Sequence, residues 1–474
     1  MHQLTLVLIG GTGAGKSSVG SSLERDHGWT WNDVDAAVER SVGMSIEQLI
    51  RVEGEQRFRA EECKALSAAL SAKVSGNLVI TTGAGAVAHE ASKELLLRGV
   101  QSERIKIVWL DCSAEECAKR TLADELSARA KGQSNLRPML ALGDKAELAG
   151  TIGTDIWETE SKKLLLNLSD KIRELSQKRN TGYREVANFV LWTEFVGAQK
   201  IASTIVELMT TNIQAEAKMF VSPQLLLGDS EATVIEGKNS RQVLPTLLAK
   251  MKGSSRVALV YDSALPTTLV KAVSDAVGSE KQQLAIALPN GESAKCLTVV
   301  QSVSEKLAAE GFSRKDPIIA IGGGVAGDVT GLIASLYMRG VPLIQVTTTI
   351  VGAVDSAIGG KTAVNLASGK NMVGTFYPAS TVIIDPELIR SLPEREYVSG
   401  LAEVIKYGVM FSDQFLSWLE NNIPGIEQRN EQVLSDIIRF CVTCKQRVVG
   451  VGGMAVHHKT PLRDAEREVA VRLQ

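Results

Sequence analysis

Gly10-Gly11-Thr12-Gly13-Ala14-Gly15-Lys16-Ser17 decides how this chain is read. The octet follows an apolar run, Leu4-Thr5-Leu6-Val7-Leu8-Ile9, and precedes Ser18-Val19-Gly20-Ser21-Ser22-Leu23, which reads as a helix. Strand, glycine loop and helix around G-x-x-x-x-G-K-S make the P-loop pattern. Glycines let the backbone turn so that several N–H groups point at one anion, and the helix adds its positive N-terminal end. Lys16 then reaches the β- and γ-phosphates of a nucleoside triphosphate, and the Ser17 hydroxyl suits Mg²⁺. Gly13, Ala14, Gly15, Lys16, Ser17 and Ser18 are the candidate phosphate cradle.

The 474 residues exceed one ordinary core, so two or more domains are expected. With 44% hydrophobic and 22% charged residues, the composition is that of a globular protein. A formal net charge of −2 leaves no electrostatic footprint for nucleic acid or a membrane surface. No apolar run approaches the ~20 residues that span a bilayer, and the N-terminal run is too short for a signal peptide. Six cysteines are scattered, which fits a reducing cytoplasm. Cys441 and Cys444 form a C-x-x-C without a second pair, in a helical pattern, and read as two buried or half-buried helix residues.

Outward from the P-loop, Trp29-Thr30-Trp31-Asn32-Asp33-Val34-Asp35 reads as a short second strand ending in D-x-D. Carboxylates at i and i+2 of a strand share a face, and at the strand's C-terminal end they face the ligand crevice. Taken alone, D-x-D is equally a solvated turn. Ser45 reads as a helix cap. The charged run Gly54-Glu55-Gln56-Arg57-Phe58-Arg59-Ala60-Glu61-Glu62 reads by composition as a solvated helix face. Leu78–Thr82 and Ile105–Asp111 are buried-strand candidates, and strands alternating with helices imply a parallel α/β sheet.

These segments together resemble shikimate kinase. The resemblance rests on GGTGAGKSSVG, D-V-D, G-M-S-I-E-Q-L, G-E-Q-R-F-R-A-E-E, T-T-G-A-G-A-V, V-W-L-D, K-R-T and R-P-M-L, in that order to about Leu140. A closing R-x-x-x-Y segment runs from Arg179 to Tyr183. The resemblance implies ATP and shikimate as ligands and Mg²⁺ as the metal, held by Ser17 and Asp33. It implies that Asp35 binds the shikimate hydroxyls, that Arg59 and Arg137 hold its carboxylate, and that Arg120 reaches the nucleotide phosphates. Gly83 and Ala84 would present backbone N–H groups to the substrate. Ala84 stands where the family has glycine, and if that position needs a positive φ, alanine costs about a kcal/mol. Lys16, Asp35 and Arg120 are the implied catalytic residues of this half. The stretch from Ala141 to Lys178 reads as helical insertion without a role.

Thr210 to Gln224 lack periodicity and contain Pro223, so a linker is expected there. Beyond it, Arg256–Asp262 reads as a strand ending in a carboxylate, and Ile318–Gly322 as a strand running into Gly323-Gly324-Val325-Ala326-Gly327-Asp328. Such a turn can cradle a pyrophosphate; tight strand–helix packing explains it equally well. Tyr337-Met338-Arg339-Gly340, Val354-Asp355-Ser356, Gly359-Gly360-Lys361-Thr362, Gly369-Lys370-Asn371-Met372 and Gly400-Leu401-Ala402-Glu403-Val404-Ile405-Lys406 set charged side chains beside glycines. That composition suits a small, charged, phosphorylated substrate.

This half resembles 3-dehydroquinate synthase, closely from about Asp262 to Glu420. The resemblance implies NAD⁺ and Zn²⁺ or Co²⁺ as cofactors and a keto-sugar phosphate acid as substrate. NAD⁺ contacts are implied at Asp262, Asn290, Gly291, Glu292, Lys295, Gly324, Val325, Ala326, Gly327, Asp328, Thr348, Thr349, Lys361 and Lys370. Substrate contacts are implied at Arg339, Asp355, Lys361, Lys370, Asn371 and Lys406, with Lys361 and Lys406 catalytic and Glu403 a metal ligand. Thr347 stands where the family usually has proline. After about Gly450 the resemblance stops: the family's histidine-bearing metal motifs do not follow, and His457 and His458 fit no such motif. No tight catalytic metal is therefore expected, and the region from Gly400 to Phe440 is expected to expose apolar surface.

The expectation is an α/β protein: a shikimate kinase-like P-loop domain with a parallel sheet over 1–210, a linker over 211–224, a Rossmann-like NAD-binding domain over 225–385, and a partial helical domain over 386–474. It reads as a working kinase fused to a C-terminally truncated, inactive synthase, cytoplasmic, without nucleic-acid or membrane partners, and with room for a homodimer through the synthase region. Full bifunctionality, a non-catalytic NAD- or partner-binding second half, and a kinase for another small acid stay open.

Overall fold

The computed structural model describes residues 4–130, 155–194, 196–210, 219–227 and 230–456. The chain forms two compact units, Met1–Thr210 and Thr211–Gln474.

The first unit is built on a parallel sheet. Its strands are β1 (Thr5–Gly10), β2 (Thr30–Asp33), β3 (Leu78–Thr81), β4 (Ile105–Asp111) and β5 (Phe189–Trp192), in spatial order β2-β3-β1-β4-β5. Thr5 pairs with Leu78 on one side and Ile105 on the other. Leu6, Val7, Leu8 and Ile9 are wholly buried, as expected for a central strand covered on both faces, where the apolar pattern is continuous instead of alternating. Because every strand points the same way, the C-terminal ends of β1, β2 and β3 open onto one edge, and the loops that follow them converge there.

Two helix starts on that edge are locally encoded. Ser45 caps helix Ile46–Glu53 in a full capping box with Gln48. Asp33 caps helix Val34–Val42, its side chain accepting from Ala36 N at 3.1 Å. The cap ends the second strand two residues earlier than the sequence pattern suggests, so Asp35 lies in a helical first turn and not on a strand face.

The second unit carries strands β6 (Met219–Leu227), β7 (Ser230–Glu236), β8 (Arg256–Asp262), β9 (Gln282–Leu288), β10 (Ile318–Gly322) and β11 (Leu343–Thr347). After them come β12 (Lys361–Leu366), β13 (Gly369–Phe376) and β14 (Thr381–Ile384). The order β6-β7-β14-β11-β10-β8-β9 is parallel except for the antiparallel β6–β7 pair. Strands β12 and β13 form a separate antiparallel hairpin. Part of the stretch read as linker is thus strand β6, with Phe220 and Val221 buried; pairing with β7 overrides its lack of sequence periodicity.

Helices Glu394–Phe411, Asp413–Asn421 and Glu431–Val456 complete this unit. The last is anchored by the buried Glu236, which accepts from Ser435 Oγ at 2.6 Å and Arg439 Nε at 2.7 Å. Cys441 and Cys444 are buried on the same helix. Val398, Ile405 and Val409 lie exposed on helix Glu394–Phe411, and Ile423 is exposed beyond it.

Candidate functional site

The edge of the first sheet holds a cleft of about 580 Å³. One end is the P-loop. Gly15 adopts φ +91° immediately before helix Lys16–His27, a left-handed conformation that glycine takes without strain. Lys16 Nζ donates to Gly10 O at 2.8 Å and Gly11 O at 2.9 Å, so its ammonium sits inside the loop. Ser17 Oγ donates to Asp33 Oδ2 at 3.2 Å. Ser17 and Asp33 thus supply two adjacent hard oxygen donors beside the loop, a set that fits Mg²⁺. Arg120 borders the same end, its Nε on Glu116 at 3.0 Å and its Nη2 on Thr193 O at 2.8 Å.

The other end is made by Asp35, Arg59, the Gly83–Gly85 turn and Arg179. Arg59 donates to Glu62 Oε2 at 2.7 Å and Glu55 Oε1 at 3.1 Å. Glu62 is fully buried. Its Oε1 and the Asp35 Oδ1 are buried without a hydrogen-bond partner among the described residues, an arrangement that is costly unless a ligand supplies donors. Burial first, then the Glu62 and Asp33 carboxylates, push the Asp35 carboxyl up to about 7, against the pull of Lys16 and Arg59. The turn itself is held from below: the buried Tyr183 hydroxyl donates to Ala84 O, and its ring stacks on Trp109 at 5.4 Å. Ala84 is not among the residues with positive φ, so the backbone cost expected for alanine there does not arise.

In the second unit, Gly322, Gly323 and Gly327 are packed closely. A Cβ on Gly322 would stand 2.6 Å from Ala326 Cβ, and one on Gly323 would stand 2.8 Å from Thr349 Cγ2. Gly324, Val325, Ala326 and Gly327 form the first turn of helix Gly324–Leu336. Asp262 ends β8 and accepts from Ala264 N at 2.9 Å. Thr348 N donates to Gly322 O at 3.1 Å, and Thr349 Oγ1 accepts from Gly352 N at 3.0 Å.

A cavity of about 500 Å³ lies beside this turn, bordered by Asp328, Asp355, Lys361, Asn371 and Lys445. Lys295 is buried and donates to Asp328 Oδ2 at 2.7 Å and Asn371 Oδ1 at 2.5 Å. Asp355 sits in a π-helical turn, Gly352–Ser356, and pairs with Lys445 Nζ at 2.6 Å. Although burial alone would raise the Asp355 carboxyl, the Lys445 ammonium brings it below its ordinary value. Glu292 accepts from Asn365 Nδ2 at 2.7 Å and lies 3.7 Å from Lys370 Nζ. Asn290 and Gly291 precede it on the same turn. Glu403 pairs with Lys406. Among the described residues of this unit no three His, Cys, Asp or Glu side chains gather to hold a metal ion.

Residues 12–210 match the family model described as shikimate kinase, residues 285–399 that of the 3-dehydroquinate synthase N-terminal domain, and residues 400–452 that of its C-terminal domain. The chain combines a region similar to shikimate kinase with one similar to 3-dehydroquinate synthase. A 3-dehydroquinate synthase of Shewanella sp. (strain MR-4) is 38% identical over 226 residues, covering 48% of this chain and 63% of that protein. The chain therefore spans less than two thirds of that relative's length. A shikimate kinase of Acinetobacter baumannii solved with shikimate is 29% identical, covering 45% of this chain and 96% of the other, with a TM-score of 0.34. A 2-deoxy-scyllo-inosose synthase solved with carbaglucose-6-phosphate, NAD⁺ and Co²⁺ is 28% identical, covering 48% and 61%, with a TM-score of 0.45.

In the kinase region the fold brings Lys16, Ser17, Asp33, Asp35, Arg59, Gly83, Ala84 and Arg120 to one cleft. Arg137 lies outside the described residues, as do His457 and His458. In the synthase region Asp328, Asp355, Lys361 and Asn371 meet at one cavity, whereas Lys370, Glu403 and Lys406 do not border it. Arg339 is exposed on the turn Tyr337–Arg339, with φ +66°, and is also not at that cavity. Sequence reasoning gave no site role to Glu62, Arg179 or Lys445. Glu62 was read as part of a solvated helix face, yet it stands one turn from Arg59, and that i, i+3 spacing is the signal that pairs them. Lys445 carried a comparable signal, one residue after Cys444 in a helix that turns that face inward.

Proposed function

We propose that the first unit transfers the γ-phosphoryl group of ATP to shikimate, giving shikimate 3-phosphate. The observation that carries this is Asp35 Oδ1, buried and without a hydrogen-bond partner among the described residues, beside Arg59 in the same cleft as the P-loop, with the likewise unpartnered Glu62 Oε1 against Gly83. A hydroxyl donor of a polyol acid satisfies Asp35 Oδ1, and the planar Arg59 guanidinium accommodates its carboxylate. Such a transfer needs positioning and charge neutralisation more than covalent chemistry by the protein. Lys16 exchanges its loop carbonyls for the β- and γ-phosphates. Arg120 adds positive charge at the same end. Asp35 orients the attacking hydroxyl and takes its proton. Ser17 and Asp33 would hold Mg²⁺, which when bound neutralises charge on the phosphates.

The second unit is read as a dinucleotide-binding, phosphate-eliminating cyclase region acting on a keto-sugar phosphate acid with NAD⁺. The support is the glycine turn at the head of helix Gly324–Leu336 beside a cavity rich in charged groups. The compartment is read as the cytoplasm, with all six thiols free.

Two assays on the full chain test the reading. ADP release that depends on shikimate supports the kinase assignment, and its absence with ATP and Mg²⁺ refutes it. Inorganic phosphate release from the keto-sugar phosphate, with NAD⁺ and added Zn²⁺, makes the chain bifunctional. NAD⁺ binding without phosphate release makes the second unit a binding module.

A further inference from the structure

Trp31 and Asp33 stand at i and i+2 on β2, and Thr81 pairs with Asp33 in the adjacent parallel strand. Trp31 Nε1 donates to Thr81 Oγ1 at 3.1 Å, Thr81 Oγ1 donates to Asp33 Oδ2 at 3.0 Å, and Ser17 Oγ donates to the same oxygen at 3.2 Å. The polarity of this chain is forced. An indole N–H is a donor only, so the Thr81 oxygen must accept from it, and its single proton is left for Asp33. Asp33 Oδ1 is meanwhile engaged by Ala36 N at 3.1 Å. Both carboxylate oxygens are therefore fixed in direction, and Oδ2 points at Ser17.

The indole is itself held by an absence. A Cβ on Gly20, on the P-loop helix, would stand 2.5 Å from Trp31 Nε1 and 2.9 Å from Cδ1 and Cε2. The ring lies against the bare backbone of the helix whose first turn carries Ser17. A rigid ring cannot yield as a flexible side chain would, so the ring's placement depends on glycine at this position. Thr81 is buried, which keeps water from replacing either hydrogen bond.

We propose that Trp31 and Thr81 are positioning residues for divalent-cation binding in the kinase region, acting through Asp33 on the oxygen pair Asp33–Ser17. The proposal rests on the nucleotide reading of the cleft. Partners that orient a metal-binding carboxylate typically contribute a factor of about ten or more to metal affinity. Thr81→Val removes the hydroxyl and keeps the shape. Gly20→Ala displaces the indole although alanine favours a helix.

The test is uptake of Mn²⁺ by the full chain with ADP, read from the free-Mn²⁺ electron paramagnetic resonance signal, beside ADP affinity in EDTA. Thr81→Val and Gly20→Ala are expected to weaken Mn²⁺ uptake about tenfold with ADP affinity in EDTA unchanged, and Thr81→Ser is expected to restore it. Unaltered uptake in Thr81→Val overturns the proposal. So does an equal loss of ADP in EDTA, which would mark a general collapse of the loop. If the unsubstituted chain takes up no Mn²⁺ with ADP, the nucleotide reading falls and this proposal with it.

Discussion

Asp35 and Glu62 face each other across Gly83: a Cβ on Gly83 would stand 2.8 Å from Asp35 Oδ1 and 2.2 Å from Glu62 Oε1. Glycine is needed here for space, since no positive φ is involved. Gly83→Ala should push one carboxylate aside and raise the KM for shikimate about tenfold, equivalent to ~1.4 kcal/mol. ADP affinity should stay unchanged, because the P-loop is at the other end of the cleft. Titrations with each ligand check this; a matched loss for both would show that the methyl group disturbs the whole cleft.

The pH dependence of the kinase reaction follows from Asp35. Its carboxyl is raised to about 7, chiefly by burial and then by the negative charges of Glu62 and Asp33. Only the ionised form accepts a proton, so kcat/KM for shikimate should fall as pH drops below about 7. Glu62→Gln removes one repelling charge and should move that limb to lower pH. A limb that stays in place would separate Asp35 from the proton transfer.

Arg59 and Lys16 should separate the two ends of the cleft. Arg59→Ala should weaken shikimate binding by roughly 1.5–3 kcal/mol, the range for a hydrogen bond to a charged group, with little change for ATP. Arg59→Lys should recover only part, because an ammonium lacks the planar fork. Lys16→Ala should abolish phosphoryl transfer while circular dichroism and the unfolding midpoint remain near those of the parent. Turnover retained in Lys16→Ala would refute the P-loop role.

Acid sensitivity of the second unit should be traceable to Asp316. This buried carboxylate accepts from Ser255 N, Arg256 N, Ser313 N and Ser313 Oγ at 2.7–3.0 Å. Burial alone would raise its carboxyl, but those donors bring it below its ordinary value. The folded state then binds fewer protons than the unfolded one, so its stabilisation is full above the ordinary carboxylate value and is lost as pH falls through the lowered one. Asp316→Asn should cost about 1–3 kcal/mol at pH 7 and less at pH 3, below the ordinary carboxylate value. Chemical unfolding at the two pH values checks the difference; an equal cost at both would remove the ionised carboxylate from the account.

Short-range patterns carried much of this protein. The P-loop, the Ser45 cap and the continuous apolar run of β1 depend on neighbours a few residues away, so they are legible from the chain alone. The ordered motifs of both regions likewise single out Lys16, Asp35, Arg59 and Asp355, which the fold sets beside the two cavities. Composition misled at Glu62, because a charged helix looks the same whether its inward face meets solvent or a cleft. The D-x-D spacing misled locally, because the Asp33 cap converts the end of a strand into the start of a helix.

What only the tertiary structure decided is what crosses long stretches of chain. Trp31 meets Thr81 across 50 positions, Tyr183 meets Ala84 across 99, and Lys445 meets Asp355 from another helix. Each contact exists because sheet order and helix packing bring distant segments together. The sequence by itself determined the kinds of element and the chemistry carried on them. Which charges are buried, which oxygens lack partners, and which ring rests on Gly20 follow from burial, a property of the folded whole and not of any window of residues.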